Sequence, residues 1–183
     1  MKKYLFMEVY HKIMTDKINV LSSKDLILAI EKIIVCSGFT IKQFEFKKNG
    51  FSAFTISQDN EQIELSINIG NIGSSYLPNK PYILRRQVRK MTFEEIPDNK
   101  RNEISMLIGI TKISDKFIIA CWNPFYFIGH STNRSCYILN DSLMIAYLKG
   151  IYDGIDCKTP VLACSEENFG KLLKIYIGRY AVD

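Results

Sequence analysis

The stretch IKQFEFKKNGFSAFTISQDNEQIELSINI, residues 41–69, decides the fold. Its side chains alternate with period two. Ile41, Gln43, Glu45 and Lys47 interleave with Lys42, Phe44, Phe46 and Lys48. Asn49-Gly50 favours a type I′ turn, because both central residues of that turn need positive φ. Phe51, Phe54 and Ile56 continue the apolar series, Asp59-Asn60 mark a second turn, and Ile63, Leu65, Ile67 and Ile69 alternate with Glu64, Ser66 and Asn68. The reading is a three-stranded antiparallel meander with one buried and one wet face.

On the N-terminal side the period changes to that of a helix. Leu5, Phe6, Val9, Tyr10, Ile13 and Met14 predict an amphipathic helix over residues 3–15. A second helix runs from an N-cap at Ser23 through Leu26, Ala29, Ile30, Ile33 and Ile34 to a C-terminal Gly38. On the other side, residues 70–81 read as a loop and 82–90 as a strand. Residues 92–103 read as a turn or short helix, and two strands follow at 106–113 and 117–122, joined by Ser114-Asp115-Lys116. A strand at 135–138 then leads into a helix capped by Asn140 or Asp141, with Leu143, Met144, Tyr147, Leu148 and Ile151 as its apolar face. A short strand at 160–163 and a helix from Ser165, with Leu172, Leu173, Tyr176 and Ile177 on its apolar face, complete the chain. The expected fold is α+β: a mostly antiparallel curved sheet or partial barrel flanked by N-terminal and C-terminal helices. It forms a single domain over residues 1–183, with 1–38 helical and 40–183 carrying the sheet and the later helices.

Composition agrees with one ordinary folded domain. The chain has 183 residues, is 47% hydrophobic and 23% charged, and has ten Gly and five Pro, which excludes a disordered or low-complexity chain. Five cysteines (Cys36, Cys121, Cys136, Cys157, Cys164) form no CxxC and no metal spacing. They read as free thiols of a cytoplasmic protein. The opening Met1-Lys2-Lys3-Tyr4-Leu5-Phe6-Met7 is interrupted by Glu8, His11 and Lys12 before it can serve as a secretory signal. No apolar run approaches the roughly 18 residues that span a membrane.

Net charge is +5, too small by itself to indicate a partner, so its distribution matters more. Lys80, Arg85, Arg86, Arg89 and Lys90 fall within eleven positions that contain no acid. Arginine suits bidentate contact with phosphate or guanine; the plainer reading is an edge strand guarded by positive charge. A second polar segment, Gly129-His130-Ser131-Thr132-Asn133-Arg134, carries side chains able to hydrogen-bond phosphates and base edges, and otherwise reads as a solvated loop.

Catalytic patterns fare poorly. Gly150-Ile151-Tyr152 and Tyr176-Ile177-Gly178 lack the strand context and spacing of a GIY-YIG nuclease. A PD-(D/E)xK nuclease places an acid and an acid-x-Lys on adjacent strands to hold Mg²⁺; Glu64-Leu65-Ser66 has no lysine in third place. With only His11 and His130, a histidine-rich metal site is excluded, and His11 reads as a surface or core-edge residue. No glycine-rich phosphate cradle exists.

The C-terminal half resembles the non-catalytic DNA-recognition domains of prokaryotic restriction endonucleases. The resemblance lies in the basic strand Arg85-Arg86-Gln87-Val88, the strand ending Trp122-Asn123-Pro124, the Ser-rich loop, the strand Ser135-Cys136-Tyr137-Ile138 and the following helix and short strand, over roughly residues 82–180. It implies a DNA-binding specificity module of a restriction-modification or related prokaryotic defence system, with no cofactor and with cleavage carried elsewhere. Arg85, Arg86, Arg89 and Lys90 are then expected to meet phosphates, and His130, Ser131, Asn133 and Arg134 base edges or backbone. Tyr126 or Trp122 would stack on an extruded base, although Trp122 also reads as core. The partner is DNA and not a membrane, with a homodimer or a fused nuclease domain as further associations. Two alternatives remain open: a metal-dependent nuclease using Mg²⁺ at a degenerate site of Asp59, Glu61 and Glu64, and a protein-interaction accessory domain.

Overall fold

The computed structural model describes residues 20–47, 50–75, 77–96, 102–129 and 133–181; the helix expected over residues 3–15, with His11, and Asn49 of the first turn lie outside them. The first described helix, α1 (Ser23–Cys36), is capped by Ser22 rather than Ser23, the Ser22 hydroxyl accepting from the Asp25 amide. It ends at Gly38, whose φ of +86° supplies the left-handed residue that lets Phe39 N–H reach back to Ile34 O.

The meander forms, but its expected wet face does not: Ser52, Ser66 and Asn68 are buried, Phe46 is 71% exposed, and a register shift between Ile41 and Gln43 breaks the alternation of the first strand. β1 (Thr40–Phe46), β2 (Ser52–Gln58) and β3 (Glu61–Asn71) pair antiparallel, with Phe44 opposite Phe54 and Phe54 opposite Leu65. Asp59 and Asn60 both take positive φ in the second turn. β3 then pairs parallel with β6 (Glu103–Ile113), and β7 (Lys116–Trp122), β10 (Thr159–Ser165) and β9 (Ile151–Asp156) extend an open seven-stranded sheet in the order β1-β2-β3-β6-β7-β10-β9. The sheet is mixed and closes into no barrel.

Two excursions leave this sheet and return to it. Residues 72–102 connect β3 to β6 and carry β4 (Gly73–Ser74) and β5 (Ile83–Val88). Residues 123–150 follow β7 and carry β8 (Arg134–Leu139) and α2 (Asn140–Lys149). They meet in a second, three-stranded sheet ordered β4-β5-β8. The main sheet therefore has two buried faces. Leu65, Ile67, Ile104, Met106, Ile108 and Cys121 pack under α1 and α3 (Phe169–Tyr180), and Tyr176 of α3 donates its hydroxyl to Ser105 O. On the opposite face Leu107, Ile118, Ala120, Trp122, Val161 and Ala163 meet Leu84, Val88, Cys136 and Ile138 of the small sheet and Leu143 and Met144 of α2. Each fully buried Leu or Ile here stabilises by roughly 1.5–3 kcal/mol.

Three further expectations give way. The expected helix carrying Ile151 stops at Lys149, because Gly150 turns left-handed (φ +86°) and Ile151 begins β9. Neither Asn140 nor Asp141 caps that helix. Its N-terminus is held from across the chain by Asp156, which accepts from Leu139 N at 2.9 Å, Ser142 Oγ at 3.1 Å and Tyr152 Oη at 2.7 Å. The last helix starts at Phe169, since Ser165 still belongs to β10 and a 3-10 turn, Glu166–Asn168, intervenes. Gly154 serves this arrangement: a Cβ there would lie 2.3 Å from the Tyr152 hydroxyl, which crosses it to reach Asp156.

All five cysteines are free, Cys36 and Cys157 exposed and Cys121, Cys136 and Cys164 buried. Burial pushes the Cys136 thiol up to about 12 and raises Cys121 and Cys164 in the same direction. A thiol reagent applied to the native protein at pH 8 is expected to modify Cys36 and Cys157 within minutes. The other three should react only on unfolding, because thiolate and access are both required. Cys157, whose thiol is also raised by burial, should be the slower of the exposed pair. Rapid labelling of all five would contradict the packing described. Among the described residues no helix is long and apolar enough to cross a membrane.

Candidate nucleic-acid interface

The basic segment spans both sides of the small sheet. Successive strand residues point to opposite faces, so Leu84, Arg86 and Val88 turn inward while Arg85 and Gln87 turn outward. On β8 Cys136 and Ile138 turn inward and Ser135 and Tyr137 outward. Antiparallel register then sets Arg85 beside Tyr137 and Gln87 beside Ser135, with Gly73 of β4 on the other flank of Arg85. The outer face presents a guanidinium, a phenol, an amide and a hydroxyl on a rigid, hydrogen-bonded platform. These groups can together donate to phosphate, bond a base edge and offer an aromatic surface.

The end of the same sheet gathers a second group. Lys90 N–H donates to Asn133 Oδ1 at 2.9 Å, tying the end of β5 to the start of β8. Arg89 is exposed and pairs with Glu95 at 3.1 Å, its guanidinium resting against Gly50 (φ +81°). Arg134 is exposed across from Val88. Lys80 is exposed in the turn before β5.

Other residues expected at the interface lie elsewhere. Arg86 is 2% exposed in the interior, and Trp122 is 1% exposed in the core beneath the small sheet. Tyr126, in the 3-10 turn Pro124–Phe127, is 48% exposed but stands edge-on to Tyr180 of α3, the helix on the other side of the main sheet. His130 and Ser131 lie outside the described residues. Arg85, Arg89, Lys90, Asn133 and Arg134 thus share the small sheet and its end, joined by Gln87, Ser135 and Tyr137, which the sequence reading did not place at the site. The alternation in Ser135-Cys136-Tyr137-Ile138 is the signal that could have found Tyr137.

Arg86 has an unusual setting. Its Nη2 donates to Asn68 O at 3.0 Å and also to Asn68 Oδ1, and Asn68 Nδ2 in turn donates to Gly50 O at 2.9 Å. Its stem and Nε lie over Gly70, where a Cβ would sit 2.8 Å from Nε. No carboxylate pairs with it among the described residues; the titratable groups nearest it in the interior are the thiols of Cys136 and Cys121, which burial keeps neutral. Burial pulls its acidity toward the neutral form, yet a guanidinium stays charged in proteins.

Asp59, Glu61 and Glu64, the carboxylates of the nuclease alternative, are not brought together. Asp59 and Glu61 line an open cleft of about 980 Å³ with Phe39, Gln58, Asn102 and Lys174. Glu64 is of opposite strand parity to Glu61, so it faces the other side of the sheet, where Lys47 Nζ reaches it at 3.3 Å and Ser66 Oγ at 3.2 Å. Among the described residues no three His, Cys, Asp or Glu side chains gather as a metal site.

Residues 63–173 match the protein family described as Methylase-associated X1 (MTaX1). The match runs from β3 into α3 and takes in both excursions and the whole small sheet; α1, β1 and β2 lie outside it. No curated protein and no solved structure matches the chain.

Proposed function

Because the chain belongs to the Methylase-associated X1 family, we propose that it is the DNA-reading module of a restriction-modification or related defence system and holds duplex DNA against the outer face of its small sheet. One observation carries this reading: the β5–β8 register that sets a half-buried Arg85 beside a half-buried Tyr137, and an exposed Gln87 beside Ser135, on one outward face. Arg85 neutralises phosphate on the outer face, and Lys90 and Arg134 do so at the end of the sheet, where Arg134 is exposed at the start of β8 although it shares the strand parity of Cys136. Gln87, Ser135 and Asn133 are the hydrogen-bonding groups available to base edges. Tyr137 supplies a flat apolar surface beside Arg85.

Fluorescence-anisotropy titration with duplex, single-stranded and cytosine- or adenine-methylated DNA at two salt concentrations tests this. Binding should prefer one form and weaken steeply with salt, since counterions are released from each neutralised phosphate. Replacing Arg85 and Arg134 together by Ala should weaken binding about 10- to 100-fold and reduce the log–log salt slope by about 2. A double variant with wild-type affinity would remove the face from consideration.

A second reading, an accessory domain that docks another protein, is favoured by one feature. β1 is an outer strand of the main sheet, and its Phe46 is 71% exposed. Binding to heparin without discrimination among DNA forms would support it over the first.

A further inference from the structure

Arg86 stands one residue from the proposed DNA face and cannot touch it. Burying a unit charge costs several kcal/mol unless a counter-charge offsets it, and no carboxylate does so among the described residues. Two amide acceptors of Asn68 hold one nitrogen, while Nε and Nη1 have no oxygen or nitrogen partner. An uncharged donor such as glutamine could serve the Asn68 oxygens without burying a charge, so the charge itself calls for an explanation.

We infer that Arg86 acts as a buried electrostatic floor for the outer face, its uncompensated charge drawing a polyanion onto Arg85 and Tyr137 from beneath. The inference rests on the reading of that face as the DNA platform. The guanidinium reaches across to the β3 backbone at Asn68 and Gly70, so its charge lies beneath the small sheet at up to the spacing of packed sheets, about 10 Å, comparable with the Debye length of about 8 Å at physiological salt. The small sheet is a single layer of strands between this charge and solvent, and Arg86 has Leu84 and Val88 on its own side and Cys136 across from it. A charge in such surroundings is screened far less than a surface lysine. Arg86 is therefore a positioning and steering group rather than a contact residue, and the Asn68 carbonyl and side-chain oxygen fix where its charge sits.

The test compares Arg86→Met, Arg86→Gln and Arg86→Lys in the intact chain, with binding of a DNA duplex of the preferred form followed by anisotropy and stability by thermal melting. Met and Gln remove the charge; Gln keeps an amide able to donate to Asn68, and Lys keeps the charge. Both neutral variants should bind roughly tenfold more weakly, the effect of one unit charge about 10 Å away at an effective dielectric of about 20. Met gives up the buried charge but leaves the Asn68 oxygens without their donor, so it should melt below Arg86→Gln, which can keep one of those bonds, and Lys should recover most of the lost affinity at pH 6.5. Asn68→Ala provides the converse: a lower melting temperature with affinity kept within about twofold. Equal affinity of Arg86→Met or Arg86→Gln and wild type would overturn the inference while leaving the DNA face in place. Equal losses in Met, Gln and Lys would overturn it in favour of a hydrogen-bonded pin. Absence of DNA binding by the wild-type chain would remove the platform and this inference with it.

Discussion

Asp156→Ala is expected to lower the unfolding free energy by about 4 kcal/mol, measured as a shift of the urea midpoint at constant slope. Asp156 is 1% exposed and accepts three hydrogen bonds: the backbone N–H at the end of β8, a hydroxyl in the first turn of α2 and the phenol of Tyr152 on its own strand. Hydrogen bonds to a charged group contribute roughly 1.5–3 kcal/mol each, and removing the acceptor leaves buried donors unmet. The carboxylate also lies at the positive end of α2, adding up to about 1 kcal/mol. Asp156→Asn retains one acceptor oxygen and should lose about half as much. A loss below about 1 kcal/mol for the Ala variant would show that β8 and α2 are anchored by packing alone.

The second large effect is at Trp122. Trp122→Ala should lose about 4 kcal/mol, because truncating a fully buried indole removes its transfer energy and leaves a cavity that the two packed sheets cannot close. The indole lies over Gly109, where a Cβ would be 3.1 Å from Trp122 Cζ3 and 2.6 Å from Ile72 Cγ1. Its N–H has no partner among the described residues, so Trp122→Phe gives up volume but no hydrogen bond. That variant should lose about 1–2 kcal/mol. Equal losses for Phe and Ala would mean that the N–H, not the ring volume, matters. A folded Trp122→Leu protein that keeps full DNA affinity would separate this residue from any stacking role.

The meander was legible because Phe54 and Ile56 of β2 and Ile63, Leu65 and Ile67 of β3 alternate with polar residues, whereas β1, where Ile41 and Phe44 both pack on the core across a register shift, does not keep a single apolar face. α1 was legible for the corresponding reason at a period of 3.6. β9 was not, since Tyr147, Leu148 and Ile151 continue a helical spacing across Gly150 and nothing local marks the change of period there. β4, only two residues long, carries no pattern at all. At the site, the run of positive charge in residues 80–90 reads as one patch when treated as composition, but a strand divides it: Arg85 outward, Arg86 inward. Leu84 and Val88 flanking Arg86 hold that information. The pairing of β5 with β8 could not be read locally, because it depends on two distant segments meeting over the same face of the main sheet. Tyr137 joins Arg85 only through that pairing.

That pairing also bears on the order in which the chain folds. β1–β2–β3, β6–β7 and β9–β10 are hairpin-like neighbours that close short loops. The parallel β3–β6 contact and the β5–β8 contact, Ile83 with Leu139, each close a long one. Loop-closure entropy opposes such contacts until the partners they rest on exist, and high contact order slows folding. The small sheet should therefore be the late-forming unit, assembled after β6 and β7 have offered a surface to cover. In hydrogen exchange, the amides of β5 and β8 would gain protection after those of β2, β3 and β6. The platform that carries Arg85 and Tyr137 would accordingly be the last part of the molecule to become competent, and the first to go when the chain opens by local unfolding.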